Sequence, residues 1–220
     1  DMYNIDSHPQ PNADGIGLRK PPHCFGWDIM PRAVSAGIWK DVILYEKPEI
    51  MINQVHYHVI SACAGAAKIR FLWELDIPDS MLKSDIWVQL YGKCGDSEFL
   101  IKEKVYFKLG KAETEVKNPK LWLPKGYGEA NIYNTKISVI ANDKEISGKE
   151  FNVGIRTVDL DRTATTDGEN GKFQFIVNDI PVMCKGTNWV PLDVYHSRDK
   201  DRYDMAFALL SDIGCNMVRC

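Results

Sequence analysis

The sequence has no excess of charge of either sign, no long hydrophobic run and no paired-cysteine motif. Its 27 basic and 30 acidic residues give a formal net charge of -3, so it lacks the basic balance that favours nucleic-acid binding. Its longest apolar runs are far shorter than the roughly 20 residues that a membrane-spanning helix needs. We therefore expect a partner that is neither a nucleic acid nor a membrane.

Cysteine is present, but it is not spaced for zinc. No two of the six cysteines stand at CxxC spacing, which is the usual signature of a structural zinc site. They are scattered through apolar segments, as buried free thiols are. The sequence therefore predicts no metal and no cofactor, and it leaves open a single disulfide and the cellular compartment. The cysteines are Cys24, Cys63, Cys94, Cys184, Cys215 and Cys220.

Alternating apolar residues are the main feature of the central part of the chain. Between Ile69 and Ile77 every second residue is apolar, as expected for a strand with one buried face. Short strands at this spacing, with polar turns such as Asn142-Asp143-Lys144, favour an antiparallel sandwich of immunoglobulin type, in a chain that is mainly β. A parallel sheet would need intervening helices. The apolar positions are Ile69, Phe71, Trp73, Leu75, Ile77, Ile86, Val88, Leu90, Phe99, Ile101, Val105, Phe107, Leu109, Ile137 and Val139.

The segments on either side of this region differ from it. Residues 1–20 are rich in Pro, Gly, Asn and Asp and predict a long loop, whereas residues 37–45 predict a strand. After an apolar run and the turn-forming pair Asn178-Asp179, the stretch 185–193 precedes a helix pattern and a second strand at 216–220. Strand, helix and strand predict the opening of a parallel β/α fold, so we place a domain boundary near residue 157.

The predicted helix has one apolar face and recognisable ends. Ser197 or Asp199 is suited to cap its start, and Gly214 is suited to its end. The mixed-charge run at 198–202 predicts a solvated face. The apolar positions, which follow helical spacing, are Tyr203, Ala206, Phe207 and Leu210.

The ends of the two predicted parallel strands are candidates for the functional site, because such folds carry their chemistry at the carboxyl ends of strands. Asn188, Trp189 and Asp193 lie at or just past the end of the first strand, and we take them as substrate-binding candidates. The alternative for Asn188 is a side chain that satisfies a loop backbone. Arg219 on the second strand either supports the site through carboxylates or forms a structural ion pair.

Two further features have a structural interpretation. His56 and His58 would lie on one face of a strand without a third metal ligand, so we predict exposed strand histidines there. Trp122 is predicted to pack between domains, because aromatic residues commonly anchor such contacts.

Three blocks of the sequence occur together in a known family. The first is Arg19-Lys20, Phe25-Gly26-Trp27-Asp28, Pro31-Arg32 and Gly37-Ile38-Trp39. The second is Asn118-Pro119-Lys120-Leu121-Trp122-Leu123-Pro124, Gly126-Tyr127-Gly128, Tyr133 and Val153-Gly154-Ile155-Arg156-Thr157. The third is Lys185-Gly186, Asn188-Trp189-Val190-Pro191 and Asn216-Met217-Val218-Arg219. With these blocks the chain resembles glycoside hydrolase family 2, and most closely its β-mannosidase branch.

The resemblance implies a three-part architecture. Residues 1–47 correspond to the C-terminal part of a jelly-roll sugar-binding domain, residues 48–156 to an immunoglobulin-like sandwich, and residues 157–220 to the start of a (β/α)8 barrel. It also implies hydrolysis of terminal β-mannosidic bonds with retention by two glutamates, which the family carries beyond Cys220. No catalytic residue is therefore named, and the isolated chain is expected to be inactive.

The resemblance also implies a site loop and a set of partners. Asp28 would accept hydrogen bonds from sugar hydroxyls with both carboxylate oxygens, and Trp27 would wall the sugar pocket. The alternative is a loop tryptophan that packs and an aspartate that caps a turn. The expected partners are a β-mannoside or related glycan, the remainder of the polypeptide and a second copy of the isolated piece.

One departure from the family pattern keeps other specificities open. The family usually has a second tryptophan and a glycine after Trp-Asp, where this chain has Ile29-Met30. The alternatives are β-glucosaminidase, β-galactosidase or endo-β-mannosidase activity. An alternative of another class is a non-catalytic sandwich module for binding or scaffolding.

Overall fold

Seven antiparallel strands form the central part of the chain. The computed structural model describes residues 19–26, 29–163 and 171–220, and the chain divides into two compact units. One unit is Tyr45–Cys184, and the other combines Asp1–Leu44 with Lys185–Cys220. Within the described ranges, no helix has the length and apolar character needed to cross a bilayer.

The first unit contains the predicted immunoglobulin-like sandwich. One sheet has the order β1-β2-β5 and the other the order β4-β3-β6-β7, with antiparallel pairing throughout. This partition into three and four strands confirms the sandwich expected from the alternating apolar pattern. The strands are β1 (Met51–Ala62), β2 (Ala66–Asp76), β3 (Ile86–Cys94), β4 (Ser97–Lys104), β5 (Leu109–Lys117), β6 (Tyr133–Ala141) and β7 (Lys144–Val153).

The core of this unit lies between the two sheets. Phe71 on β2 is fully buried, and its ring lies 5.5 Å from that of Phe99 on β4. Burial of one such side chain contributes roughly 1.5–3 kcal/mol, so the sandwich has a core of its own. The predicted apolar positions that are buried are Ile69, Phe71, Trp73, Leu75, Ile77, Ile86, Val88, Leu90, Phe99, Ile101, Val105, Ile137 and Val139.

Two predicted core positions are wrong. Phe107 and Leu109 are 74% and 70% exposed. The chain leaves β4 at Lys104 and bends before β5 begins in the opposite sheet. The period of two therefore does not continue across this connection, and the two side chains face solvent.

Two hairpin turns follow the prediction from sequence. Asn142 and Asp143 have φ angles of +50° and +58°, and Asn178 and Asp179 have φ angles of +49° and +64°. Two successive residues with positive φ are typical of the type I′ turn that joins antiparallel strands. Asn and Asp tolerate this left-handed conformation better than most residues.

A third, smaller sheet belongs to the first unit. Asn178 in its hairpin accepts a hydrogen bond from Thr157 N at 3.0 Å and donates one to Trp122 O at 3.0 Å. Met183 N donates to the Tyr127 hydroxyl at 2.7 Å. These bonds connect the smaller sheet to the sandwich, and the compact unit extends to Cys184. The domain boundary near residue 157 stays a prediction. The strands are β8 (Val158–Arg162), β9 (Phe173–Val177) and β10 (Ile180–Val182), in the order β10-β9-β8.

The second unit contains the predicted strand, helix and strand. β11 (Gly186–Asn188) pairs in parallel with β12 (Met217–Arg219), and α1 (Tyr203–Asp212) connects them. Gly214, with a φ of +77°, follows the helix as predicted. The predicted cap is wrong, because the N-cap position is Arg202 and no side chain caps the helix there.

The strand predicted over residues 37–45 is also wrong. This segment has no regular secondary structure, and its apolar side chains are exposed, with Leu44 at 99%. An isolated strand is not stable without a paired neighbour, and no strand among the described residues pairs with it. The jelly-roll assignment of residues 1–47 stays a prediction.

Candidate functional site

Asn188 and Arg219 lie side by side at the carboxyl ends of the parallel strands. They are Cα partners in the β11–β12 register, and Arg219 Nη1 donates to Asn188 Oδ1 at 3.4 Å. Trp189 N donates to Arg219 O at 2.7 Å, which extends the pairing by one residue. Both side chains are exposed. An amide that donates and accepts, beside a guanidinium that only donates, can bind the hydroxyl groups of a polar ligand.

Close approach of the two strands requires a glycine at position 186. A Cβ atom built on Gly186 would lie far inside van der Waals contact with the carbonyl oxygen of Met217. Because that oxygen belongs to the backbone of β12, it cannot move without disturbing the strand pair. The glycine therefore positions Asn188 two residues later.

Trp189 packs on the connecting helix. Its ring stacks on Phe207 with centroids 5.2 Å apart and lies 6.2 Å from the ring of Tyr203. Aromatic pairs at such distances contribute roughly 0.5–1.5 kcal/mol beyond burial. These contacts hold the start of the loop that follows β11, and a role for Trp189 in ligand binding stays a prediction.

The Asp193 carboxylate forms ion pairs and a hydrogen bond with residues that follow it in the chain. Its Oδ2 lies 2.9 Å from Arg202 Nη2 and 3.5 Å from Arg198 Nη1, while its Oδ1 accepts from Tyr195 N at 2.9 Å. The backbone hydrogen bond from Tyr195, followed by the charges of the two arginines, lowers the pKa of Asp193. The carboxylate is therefore suited to hold the loop in place, and direct contact with a ligand stays a prediction.

A buried aspartate links this loop to a histidine pair. Asp199 Oδ1 accepts from Asp193 N at 2.9 Å, and its Oδ2 lies 3.0 Å from His196 Nδ1. His196 Nε2 is 2.7 Å from His23 Nε2. Burial, and after it the neighbouring His196, lowers the pKa of His23.

Sequence reasoning missed this network. The run at 198–202 was expected to be a solvated face, but Asp199 within it is only 7% exposed. The spacing of His196 and Asp199, three residues apart, was a usable signal for their contact. No local signal links His23 to His196, because the two residues are 173 positions apart.

The remaining candidates lie elsewhere. Trp27 and Asp28 lie outside the described residues. His56 and His58 are exposed on β1, as predicted. Trp122 is half-buried, and the Arg156 guanidinium lies 4.4 Å from its ring centroid. Its packing between domains stays a prediction.

The six cysteines are free, and Cys24 is buried as expected whereas Cys63 and Cys220 are exposed.

On the first unit, β1 and β7 border a cleft of about 800 Å³ whose lining includes Tyr57, Phe151 and Arg156. A cleft of this size is within the range of small-ligand sites.

Comparisons with known proteins agree on one family. Residues 82–156 match the sequence model described as Glycosyl hydrolases family 2. The chain is 31% identical over 182 residues to Beta-mannosidase B of Aspergillus flavus, which covers 81% of this chain and 21% of the relative. Beta-mannosidase B of Aspergillus clavatus is 29% identical over 191 residues, covering 86% of this chain and 22% of the relative. The chain thus spans about a fifth of the length of the curated relatives it matches.

Two solved structures are similar to the chain. The structure of Beta-D-Mannosidase from Dictyoglomus thermophilum is similar with a TM-score of 0.79 and 30% identity, covering 90% of this chain and 24% of that chain. The Ruminococcus gnavus beta-glucuronidase has a TM-score of 0.55 at 18% identity, covering 78% of this chain and 25% of that chain. At that identity the second likeness concerns the fold alone.

Proposed function

The chain is a β-mannosidase-like member of glycoside hydrolase family 2, and from this premise we propose that it is part of a retaining glycosidase that hydrolyses terminal β-mannosidic bonds. The observation that carries the proposal is the parallel pair β11–β12, which has Asn188 and Arg219 at its carboxyl ends. In β/α barrels these ends carry the substrate site. The likeness to the Dictyoglomus thermophilum enzyme supports the choice of sugar.

The proposal includes the division of the chain into domains. Residues 48–156 form the immunoglobulin-like domain, residues 1–47 the C-terminal part of a jelly roll, and residues 157–220 the first part of a (β/α)8 barrel. The β11–α1–β12 unit supports the last assignment, because a parallel strand pair joined by a helix is the repeating unit of such a barrel.

In the proposed glycosidase, this chain supplies residues that bind the sugar. Asn188 binds sugar hydroxyls through its amide, and Arg219 orients that amide. Asp28 and Trp27 supply a further acceptor and an aromatic wall. Asp193, held by Arg202, fixes the loop that follows β11.

The bond-breaking carboxyls belong to residues outside these 220 positions. In a retaining enzyme one carboxylate attacks the anomeric carbon while a carboxylic acid protonates the departing oxygen. The same acid then acts as a base on water, which hydrolyses the glycosyl-enzyme and restores both groups. The 220-residue chain alone is therefore expected to bind but not to turn over substrate.

Another specificity within the family is the second candidate. The pair Ile29-Met30 departs from the usual family motif next to the site loop. A β-galactosidase, β-glucosaminidase or endo-β-mannosidase would retain the same fold and the same strand-end pair.

A panel of aryl β-glycosides tests the proposal. The longer protein that contains this chain is assayed on the mannoside, galactoside, glucosaminide and glucuronide, and the product anomer is followed by NMR. We expect the highest kcat/KM for the β-mannoside and initial release of β-mannose, with no turnover by the 220-residue chain. A higher kcat/KM for another sugar, or initial release of the α-anomer, would overturn the assignment, and turnover by the 220 residues would overturn the placement of the carboxyls.

A further inference from the structure

We propose that His23, Cys24 and His196 form a binding site for one Zn²⁺ ion. The first two residues belong to the 3-10 helix Pro22–Phe25 and the third to the 3-10 helix His196–Arg198. One ligand atom from each side chain lies within 4.8 Å of the others. The thiol of Cys24 is buried and both imidazoles are half-buried, so the cluster is partly shielded from solvent.

The donor set favours zinc over the hard cations. A thiolate and two imidazoles are typical ligands of Zn²⁺, whereas Mg²⁺ and Ca²⁺ prefer oxygen ligands. Three protein ligands leave a fourth tetrahedral position that a water molecule can fill. The predicted absence of metal followed from cysteine spacing, which cannot detect a site whose ligands come from distant parts of the chain.

The two histidine nitrogens need to move only slightly apart to admit the ion. Zn–N bonds of about 2.0–2.1 Å at a tetrahedral angle place two nitrogens about 3.3 Å apart. The two Nε2 atoms are now 2.7 Å apart and share a hydrogen bond. On binding, the proton between them moves to Nδ1 of His23, and the Cys24 thiol releases its proton as the Zn–S bond forms.

The hydrogen bond on the far side of His196 is a second, independent observation. Its Nδ1 lies 3.0 Å from Asp199 Oδ2, so this nitrogen carries the proton and Nε2 presents its lone pair toward the cluster. Metal-binding histidines almost always donate their other N–H to a carboxylate, a carbonyl or water. Asp199 is itself fixed by Asp193 N at 2.9 Å and is buried. The histidine is therefore already oriented as a ligand.

The site would join two segments that are far apart in sequence. Cys24 precedes Trp27 by three residues, and His196 lies in the loop that follows β11. A bound ion would therefore fix the start of the segment that contains Trp27 and Asp28. This inference does not depend on the identity of the sugar.

Cobalt substitution tests the site directly. The metal-free 220-residue chain is titrated with Co²⁺ and, separately, with Zn²⁺ followed by calorimetry. We expect one ion per chain, with the visible bands of tetrahedral Co²⁺ and a thiolate-to-cobalt charge-transfer band in the near ultraviolet. Absence of the charge-transfer band, or a stoichiometry well below one, would overturn the proposal.

Matched variants assign the ligands. Cys24→Ser, which is nearly isosteric, should remove the charge-transfer band, whereas Cys63→Ser at an exposed thiol should retain it. His196→Ala should weaken Zn²⁺ binding at least tenfold, and His56→Ala on β1 should not. Asp199→Asn should weaken it roughly 10- to 100-fold, the range expected when the carboxylate that orients a metal-binding histidine is changed. Circular dichroism checks folding, and a band that survives Cys24→Ser contradicts the proposal whatever the other variants do.

Discussion

The hydroxyl of Tyr133 connects two parts of the sandwich by hydrogen bonds. Tyr133 stands fully buried at the start of β6. Its hydroxyl donates to Ser97 Oγ at 2.7 Å and accepts from Lys120 N at 2.9 Å. A tyrosine at this corner of an immunoglobulin-like sandwich, bonded back to the upstream backbone, is a recurrent feature of the fold. The hydroxyl thus ties the segment before β6 to β4.

Removal of this hydroxyl should destabilise the sandwich. In Tyr133→Phe the ring still fills the core, but Lys120 N and Ser97 Oγ lose their buried partner, which costs roughly 1–3 kcal/mol. Tyr91→Phe is the matched control, because the Tyr91 hydroxyl binds Glu98 Oε2 at 2.8 Å on the exposed surface. Urea unfolding should show the loss for Tyr133→Phe and a change within about 0.5 kcal/mol for the control. Equal effects of the two variants would contradict this account of the corner.

Glu113 should contribute to the free energy of unfolding of the sandwich in a way that depends on pH. Its carboxylate lies 2.7 Å from Lys68 Nζ and 2.6 Å from Arg70 Nη2. The hydrogen bond from Lys68, followed by that from Arg70, lowers the pKa of Glu113 from 4.5 to about 2. A carboxyl whose pKa is lower in the folded state stabilises that state above its unfolded pKa and loses this effect as pH falls through the folded pKa.

The Glu113→Gln variant tests this direction. It should be less stable than the parent at pH 7, and the difference in urea midpoint should shrink between pH 4.5 and pH 2, the window set by the two pKa values. Glu103→Gln, an exposed position on β4, serves as the control for a general effect of lost charge. A difference that stays constant down to pH 2 would show that Glu113 is not protonated as described.

At the scale of elements, local periodicity predicted strands and helices, whereas contacts between residues far apart in the sequence could not be predicted. The burial of β2 and β3 could be predicted, because their apolar residues alternate along each strand. The β11–α1–β12 order could be predicted, because the apolar spacing changes to that of a helix after residue 198. The strand predicted at residues 37–45 was wrong, because a strand depends on a neighbour that pairs with it and the local pattern does not show whether that neighbour is present. The contact of His23 with His196 could not be predicted, because nothing local connects the two residues.

Gly186→Ala should separate β11 from β12. The added Cβ would meet the backbone carbonyl of Met217, and a backbone atom cannot move aside as the end of a side chain can. Gly65→Ala is the matched control, because nothing lies within 4 Å of a Cβ built there. We expect faster amide exchange at residues 186–189 and 217–219 in Gly186→Ala only. Unchanged exchange in that variant would mean that the strand pair tolerates a side chain at position 186.

At the scale of the whole molecule, the two compact units differ in how much core they contain. The first unit has two sheets with a continuous buried core, and β8–β10 are bonded to it through Asn178. In the second unit, α1 has no buried residue, and Met205 and Leu209 are exposed. Those side chains are consistent with the association expected for the isolated chain, which stays a prediction.

Amide exchange should separate the units in the isolated chain. Residues 69–77 should exchange most slowly, because their strand lies in the middle of its sheet and lines the core. Residues 173–182 should come next, and residues 186–188 and 217–219 should exchange fastest. If the last group proved as protected as residues 69–77 in a dilute monomer, the division of the chain at Cys184 would be wrong.

The central claim is that the strand ends of the second unit bind the sugar of a β-mannosidase-like enzyme, and Asn188→Ala tests it most directly. In the longer protein, loss of this amide should leave sugar hydroxyls without a partner, which costs about 1–3 kcal/mol, or roughly fivefold to 150-fold in kcat/KM on an aryl β-mannoside. The melting temperature should be unchanged, since Asn188 is exposed, and Asn134→Ala at an exposed position on β6 should keep full activity. A kcat/KM for Asn188→Ala equal to that of the parent would contradict the claim.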